Sequence, residues 1–426
     1  MTLTFVIQLL LMALPTYLIR FKVGPLPTTL LELLFGIVLV WWLIINRRGL
    51  GKKIKTWFGR DWRHNFHWEA LAWVLVALVA VGVSHFKLSA FGLWRAYFLE
   101  PVILYFIIKD VFKDQPRSKL IIPVAVGAGI TAILALYQKL TGTLANPDFC
   151  NAPETCRATA WYGYPNAIGL YLEIVVCLLV GLFWQLKNKY ERWYVAWVAV
   201  LCLCAIWAAR SRGALLGLAI GLSVFFLGFN KLSRRLTLGA LALGLILIMT
   251  IAPLRQTLVQ DFTLQDLSGQ IRLQQWRETI QMLAKGKLIS GAGLDNYQAA
   301  VRPFHTGGFL FNLTNDPDYQ YKITYELSKY KKTFWKGVEI YLYPHNLILN
   351  FWSELGLAGL LLFIWLVVKF FILASKYYGK NNFILLGAIA AMITLLFHGL
   401  VDVPYFKNDL SILFWVLLIF VSQDKK

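Results

Sequence analysis

Apolar stretches long enough to cross a bilayer recur along almost the whole chain, and no other feature constrains the fold as strongly. Hydrocarbon offers backbone N–H and C=O groups no partners, so a crossing segment satisfies them internally as a helix of roughly 20 residues. Such stretches run over 3–19, 27–46, 68–84, 97–112, 119–140, 165–185, 193–209, 212–230, 236–252, 346–374, 382–400 and 408–422. Composition agrees: 58% of residues are hydrophobic and only 15% charged, against about half and a quarter in soluble domains. The expectation is an all-α, polytopic bundle of about twelve transmembrane helices, with residues 1–426 forming one membrane domain.

The formal charge of +20 invites a nucleic-acid reading, but the basic residues are spread over short connections. These read NRRGLGKKIKTWFGRDWRHNFHW, KDVFKDQPRSK, LKNKYERW, NKLSRR and SKYYGKNN, with QDKK at the end. All fall on one side if every stretch crosses, which is the pattern of membrane orientation. The partners are then membrane lipids and no nucleic acid. Both termini are expected in the cytoplasm, with segment 253–345 a long outward-facing loop between spans nine and ten. No basic run precedes the first apolar stretch, so it is read as a retained helix. Cys150 and Cys156 fall on the outer side, where oxidising conditions allow pairing. Cys177, Cys202 and Cys204 lie in apolar spans and read as small hydrophobes.

A connection as long as 253–345 is usually functional or structured. In DLSGQIRLQQWRETIQMLAKG, Ser268 is placed to cap a helix and Ile271, Trp276, Ile280 and Leu283 form an apolar stripe. Gly286 ends the run. From Phe304 to Tyr343 the composition predicts mostly irregular structure.

Arginines that face outward run against the positive-inside bias. Between spans seven and eight, in WAARSRGALLGL, Arg210 and Arg212 occupy the turn. An arginine near the hydrocarbon centre costs about 2.5–3.5 kcal/mol on insertion scales, and a cation at a helix N-terminus opposes the macrodipole. A bound phosphate relieves both penalties, because it meets the guanidinium and the free first-turn N–H groups together. The plain alternative is that both arginines snorkel to the headgroups. Arg157 precedes span six on the same face, where Pro165 and Asn166 set the helix start. Arg272 lies on the outer helix with Trp276 one turn on, and Arg277 points elsewhere. Arg95 faces outward with Glu100 as a candidate partner.

In YPHNLILNFWSELGLAGL, His345 opens span ten, and Asn346, Asn350 and Glu354 recur every four residues as a polar stripe. Gly356 and Gly359 suit close packing of a neighbouring helix. An imidazole is the side chain best suited to exchange a proton near neutral pH; the plain alternative is an interfacial or capping histidine. His398 and Asp402 stand four apart in FHGLVDVPYF, a spacing that lets an aspartate orient an imidazole, and read as support. The chain has no G-x-S-x-G elbow and no P-loop. What remains is an arginine clamp on a diphosphate beside a histidine base, with no metal and no cofactor.

The order RATAWYGYPNAIGLYLE, ARSRGALLGL, IRLQQWRETIQML with GAGLDNY, YPHNLILNFWSELGLAGL and HGLVDVPYFKNDLSILFW resembles the bacterial O-antigen ligase family. That family includes polymerase-like and protein O-oligosaccharyltransferase branches. The resemblance implies a metal-independent inverting glycosyltransferase of the bacterial inner membrane that acts in lipopolysaccharide or related polysaccharide biosynthesis. The donor would be a glycan on undecaprenyl diphosphate, and the acceptor a hydroxyl of lipid A–core, of a second glycan or of a protein. Carried over by motif, His345, Arg212 and Arg272 would be catalytic, with Arg157, Arg210, Arg277, Trp276 and Asn346 contacting substrate. His398, Asp402 and Glu354 would support them. From another class, a transporter or flippase for lipid-linked glycans would also use arginines along a path, but the internal repeats common in transporters are not visible here.

Overall fold

The computed structural model describes residues 2–24, 26–59, 61–379 and 381–422. Each apolar stretch named above is mostly helical, and the only sheets among the described residues are two short antiparallel strand pairs, Arg20–Val23 with Leu26–Thr29 and Gly308–Leu310 with Trp335–Gly337. Seven helices are long and apolar enough to cross a membrane, or eight if the bent pair Leu30–Asn46 and Leu50–Gly59 is one span. Leu3–Met12, His67–Val83, Phe383–His398 and Asn408–Val421 are apolar but shorter, with 10–17 residues each. At 1.5 Å per residue they reach only about 15–26 Å of a roughly 30 Å core. The twelve crossings expected from sequence are therefore not established; the helices are.

The centre of the bundle is the Pro165–Gln185 helix, almost wholly buried between Phe383–His398 and Arg212–Phe229. Small residues make the approach possible: a Cβ on Gly181 would lie 3.0 Å from the Cα of Gly387, and one on Gly169 2.8 Å from Ser211 Oγ. Asn408–Val421 is buried along its full length, whereas Lys231–Thr250 buries no residue. Cys177 and Cys202 are buried as expected, but Cys204 is exposed on its helix.

The basic connections meet one another at one end of the bundle. Lys53 pairs with Asp110, His64 bonds the Tyr377 hydroxyl, Arg117 donates to the carbonyls of Phe420 and Ser422, and the Tyr378 hydroxyl donates to the Gly228 carbonyl. The loops of the other set gather at the opposite end, around segment 253–345.

That segment is more ordered than its composition suggests. Leu267–Met282 is helical, but Asp266 caps it through a 3.0 Å bond from the Gly269 N–H, and Ser268 instead accepts from Arg272. The expected apolar stripe is also corrected, because Ile280 is 54% exposed while Gln274, Gln275, Glu278 and Thr279 are buried. The polar face turns inward because the rest of the segment supplies partners. Glu278 accepts from Gln274 and from the Thr306 backbone and hydroxyl, and faces His305 Nδ1 at 3.1 Å. Burial would raise the Glu278 carboxyl, yet these bonds prevail and hold it below its ordinary range. Beyond Phe304, helices Tyr319–Tyr325 and Leu327–Phe334 and the second strand pair stand between irregular stretches.

The helix after His345 spans Leu347–Tyr377 and breaks at Gly356, whose φ is +71°. Among the described residues, the atoms nearest Gly356 belong to no neighbouring helix. Segment 288–297 packs there: the Leu357 N–H donates to the Ile289 carbonyl at 2.9 Å, and Ala292 N–H to the Ser353 carbonyl at 2.6 Å. Broken backbone inside a membrane protein is tolerated where protein resatisfies it in this way. Glu354 belongs to this junction, accepting from the Asp295 N–H at 2.7 Å, so the stripe from Asn346 does not continue as one polar path.

Candidate functional site

Arg157 is set in place by the connection before Pro165–Gln185. A disulfide joins Cys150 to Cys156. The buried Gln138 side chain accepts from the N–H groups of Thr159 and Ala160 and donates to the carbonyls of Leu144 and Ala160. Held so, Arg157 donates from Nε to the Ala209 carbonyl at 3.2 Å and from Nη2 to Asn166 Oδ1 at 3.5 Å. Burial, then the positive charges of Arg210 and Arg212, push its guanidinium below the ordinary value. Three arginines therefore share one neighbourhood.

Arg210 donates to the Glu154 carbonyl at 3.1 Å and leads into the Arg212–Phe229 helix. Ser211, its N-cap, makes no side-chain cap bond. Gly213 lies flat against His398, where a Cβ would come 2.8 Å from Nε2. Arg210 and His345 both hold positive φ, +51° and +46°, among eight non-glycine residues described in that region. The conformation costs roughly 1–2 kcal/mol at each, and such strain gathers where a side chain must be aimed.

The turn after Phe383–His398 joins the parts. The Leu347 N–H donates to the Gly399 carbonyl at 2.7 Å and Asn346 Nδ2 to the Leu400 carbonyl at 3.0 Å. Arg272 Nε donates to the Val401 carbonyl at 2.9 Å. Asp402 then accepts from Asn166 at 3.3 Å and from the Val403 N–H at 2.9 Å, and faces His345 Nδ1 at 3.6 Å. That last separation is an ion-pair distance longer than a hydrogen bond, and Nδ1 has no hydrogen-bond partner among the described residues. Catalytic hydrogen bonds are often long in unliganded sites and tighten on binding. Burial would raise Asp402, but His345, His398 and the Val403 N–H outweigh it and hold the carboxyl well below its ordinary range.

The sequence paired Asp402 with His398, and this is corrected. The helix ends at His398 and Asp402 lies in the turn beyond, where its N–H still donates to the His398 carbonyl at 3.0 Å. The imidazole beside Asp402 is that of His345; His398 Nδ1 sits 2.9 Å from both Glu173 oxygens, fully buried. Tyr341 and Tyr343 flank the His345 ring edge to face, with centroids at 5.4 and 4.9 Å, and Trp276 Nε1 fixes the Pro344 carbonyl at 2.9 Å. Arg277 is exposed on the same helix as Arg272. Arg95 pairs with Glu100 at 3.3 Å, as expected, and also with Glu32 at 2.8 Å.

Glu173, Tyr343 and Lys407 have no role in the sequence-based expectation, and Asn166 only that of setting a helix start. Lys407 stacks on the Tyr164 ring at 4.4 Å, and the Tyr164 and Tyr343 hydroxyls lie 2.8 Å apart. The lone glutamate in NAIGLYLEIVV carries a usable signal, since an ionisable residue inside an apolar span demands a partner; Asn166 carries only its place beside Pro165.

Residues 197–364 match the family model for O-antigen ligase. The match spans 168 of the 426 residues, and over them the chain is similar to that family. The matched residues contain Arg210, Arg212, Arg272, Arg277 and His345, while Arg157, His398 and Asp402 fall outside them. No curated protein matches the chain. The family domain on a set of long apolar helices supports a multi-pass membrane protein with a glycosyltransferase-like function that handles lipid-linked glycans and their acceptors.

Proposed function

We propose that this protein transfers a glycan from undecaprenyl diphosphate to an acceptor hydroxyl at the outward face of the bacterial inner membrane, with both termini in the cytoplasm and no metal ion. One observation carries the reading: the Val401–Asp402 turn holds Arg272 through a carbonyl and His345 through a carboxylate, so a cation and a base share one support. With Nδ1 turned to Asp402, Nε2 of His345 is the nitrogen that takes the proton from the acceptor hydroxyl. The freed oxygen attacks the anomeric carbon, the anomeric C–O bond breaks, and its electron pair leaves on the lipid diphosphate. Arg212, Arg272 and the first-turn N–H groups after Ser211 stabilise that leaving charge, in the role a divalent cation plays elsewhere. Arg157 and Arg210 add to the positive potential. The basic connections gathered at the other end support the orientation. The acceptor is lipid A–core, a second lipid-linked glycan or a protein hydroxyl.

The test uses protein in nanodiscs with a defined undecaprenyl-diphosphate glycan, three acceptors and EDTA. Lipid diphosphate release should require one acceptor and name the branch. Arg212→Ala should weaken donor binding by roughly 10- to 100-fold, the worth of a charge-assisted hydrogen bond. Arg212→Lys should restore part of it, because a point charge lacks the bidentate fork. Arg277→Ala should leave donor affinity unchanged. Equal donor affinity in wild type and both Arg212 variants would remove the anion site.

A further inference from the structure

The end of the bundle far from His345 holds a cavity of about 360 Å³ that the reaction does not use. Its wall includes Lys52, Lys53, Lys109, Lys113, Asp110 and Trp57. Four lysines face one aspartate, and Lys53 already pairs with that aspartate, which also accepts from Trp42 Nε1 at 2.9 Å. The wall thus carries a surplus of positive charge. Its volume falls within the roughly 300–1,000 Å³ of small-molecule sites.

The cavity is built on Leu50–Gly59, a helix turned 102° from Leu30–Asn46. If Leu30–Asn46 stands in the bilayer, Leu50–Gly59 lies along its surface. Its sequence fits that position: Leu50, Ile54, Trp57 and Phe58 share one side, and Lys52, Lys53 and Thr56 another. Trp57 stacks between Trp42 and Phe106 at 5.7 and 4.8 Å, while Ile54, Trp62 and Trp68 remain 43%, 50% and 51% exposed beside it. Indoles at this depth belong at the headgroup level. A cationic cavity bordered by an in-plane amphipathic helix and exposed apolar side chains meets both halves of a phospholipid, and a soluble phosphate would use only the first.

We infer that the cavity between Leu50–Gly59 and the end of Lys87–Val111 binds the phosphodiester headgroup of an anionic phospholipid, whose chains lie along the exposed apolar residues. The lipid anchors the bent helix and its basic loop to the membrane surface, at the end opposite the glycan chemistry. The inference stands independently of the proposed reaction.

Native mass spectrometry of the full chain, stripped progressively of lipid in detergent, tests it with phosphatidylglycerol and phosphatidylcholine as probes. Lys52→Gln/Lys113→Gln removes two exposed lysines of the wall, and Lys331→Gln/Lys332→Gln removes the same charge at the other end; thermal unfolding confirms that both fold. Phosphatidylglycerol retention should fall by roughly tenfold or more in the first variant and match wild type in the second. Phosphatidylcholine should not distinguish the three proteins. Equal phosphatidylglycerol retention in wild type and Lys52→Gln/Lys113→Gln, or an equal loss in both variants, would overturn the site. Displacement of phosphatidylglycerol by millimolar glycerol phosphate would overturn the lipid assignment in favour of a soluble phosphoester.

Discussion

The His398–Glu173 and His345–Asp402 pairs stand on either side of one short turn, and they are built for different purposes. His398 is 1% exposed at its side chain, Glu173 is 0% exposed, and Nδ1 meets both carboxylate oxygens at 2.9 Å. That pair is closed: it ties the Phe383–His398 helix to Pro165–Gln185, and Gly213 seals its other side. His345 is 20% exposed, stands 3.6 Å from its carboxylate, holds a strained backbone and is flanked by the Tyr341 and Tyr343 rings. A pair that serves the fold satisfies its atoms with its own partners. Under the proposed function, the open pair keeps one edge of its ring for substrate.

The contrast can be broken by mutation. The largest effect is expected from His345→Ala, which should lower the transfer rate by about 10² to 10⁴, the worth of a general base, with the unfolding midpoint unchanged. A matching loss of stability would make His345 structural. Glu173→Ala should do the reverse, because an unpaired buried partner costs about 3–5 kcal/mol. Thermal unfolding in detergent should show a lower midpoint, while the rate per folded molecule stays near wild type; a rate loss without unfolding would move the chemistry toward His398. Asp402→Asn should slow transfer by less than His345→Ala does. Added to His345→Ala it should cost nothing further in rate, since the aspartate acts only through the imidazole.

The smallest effect concerns the connecting segment. Glu278 is held below the ordinary carboxylate range, so its stabilising contribution is present above that range and is lost as pH falls through its folded-state value. Proteolysis of 263–343 at low pH should be faster than at neutral pH, and Glu278→Gln should be cleaved readily at both.

The apolar stretches were legible because hydrocarbon enforces helix whatever the details, and each of them holds a helix. Their number of crossings was not, because a helix such as Phe383–His398 and one long enough to span look alike in a hydropathy window. Arg157, Arg210 and Arg212, which share one neighbourhood, stand out in the sequence as charges apart from the basic connections, and His345 as an imidazole opening an apolar run. Their supports could not: Asp402 meets His345 across the fold because Gly399 and Leu400 carry the chain out of its helix, and a local spacing rule sees only His398. Gly356 posed the same difficulty, since a glycine in an apolar run reads as a packing surface and the partner that fills the break comes from 288–297.

The central claim is that the open pair carries the reaction and the closed pair carries the fold. Single-turnover release of undecaprenyl diphosphate from a bound donor, with acceptor in excess, should be measured per folded molecule for wild type, His345→Ala and Glu173→Ala. The account predicts near-complete loss in His345→Ala and a rate close to wild type in Glu173→Ala. Release that survives His345→Ala but fails in folded Glu173→Ala would contradict it.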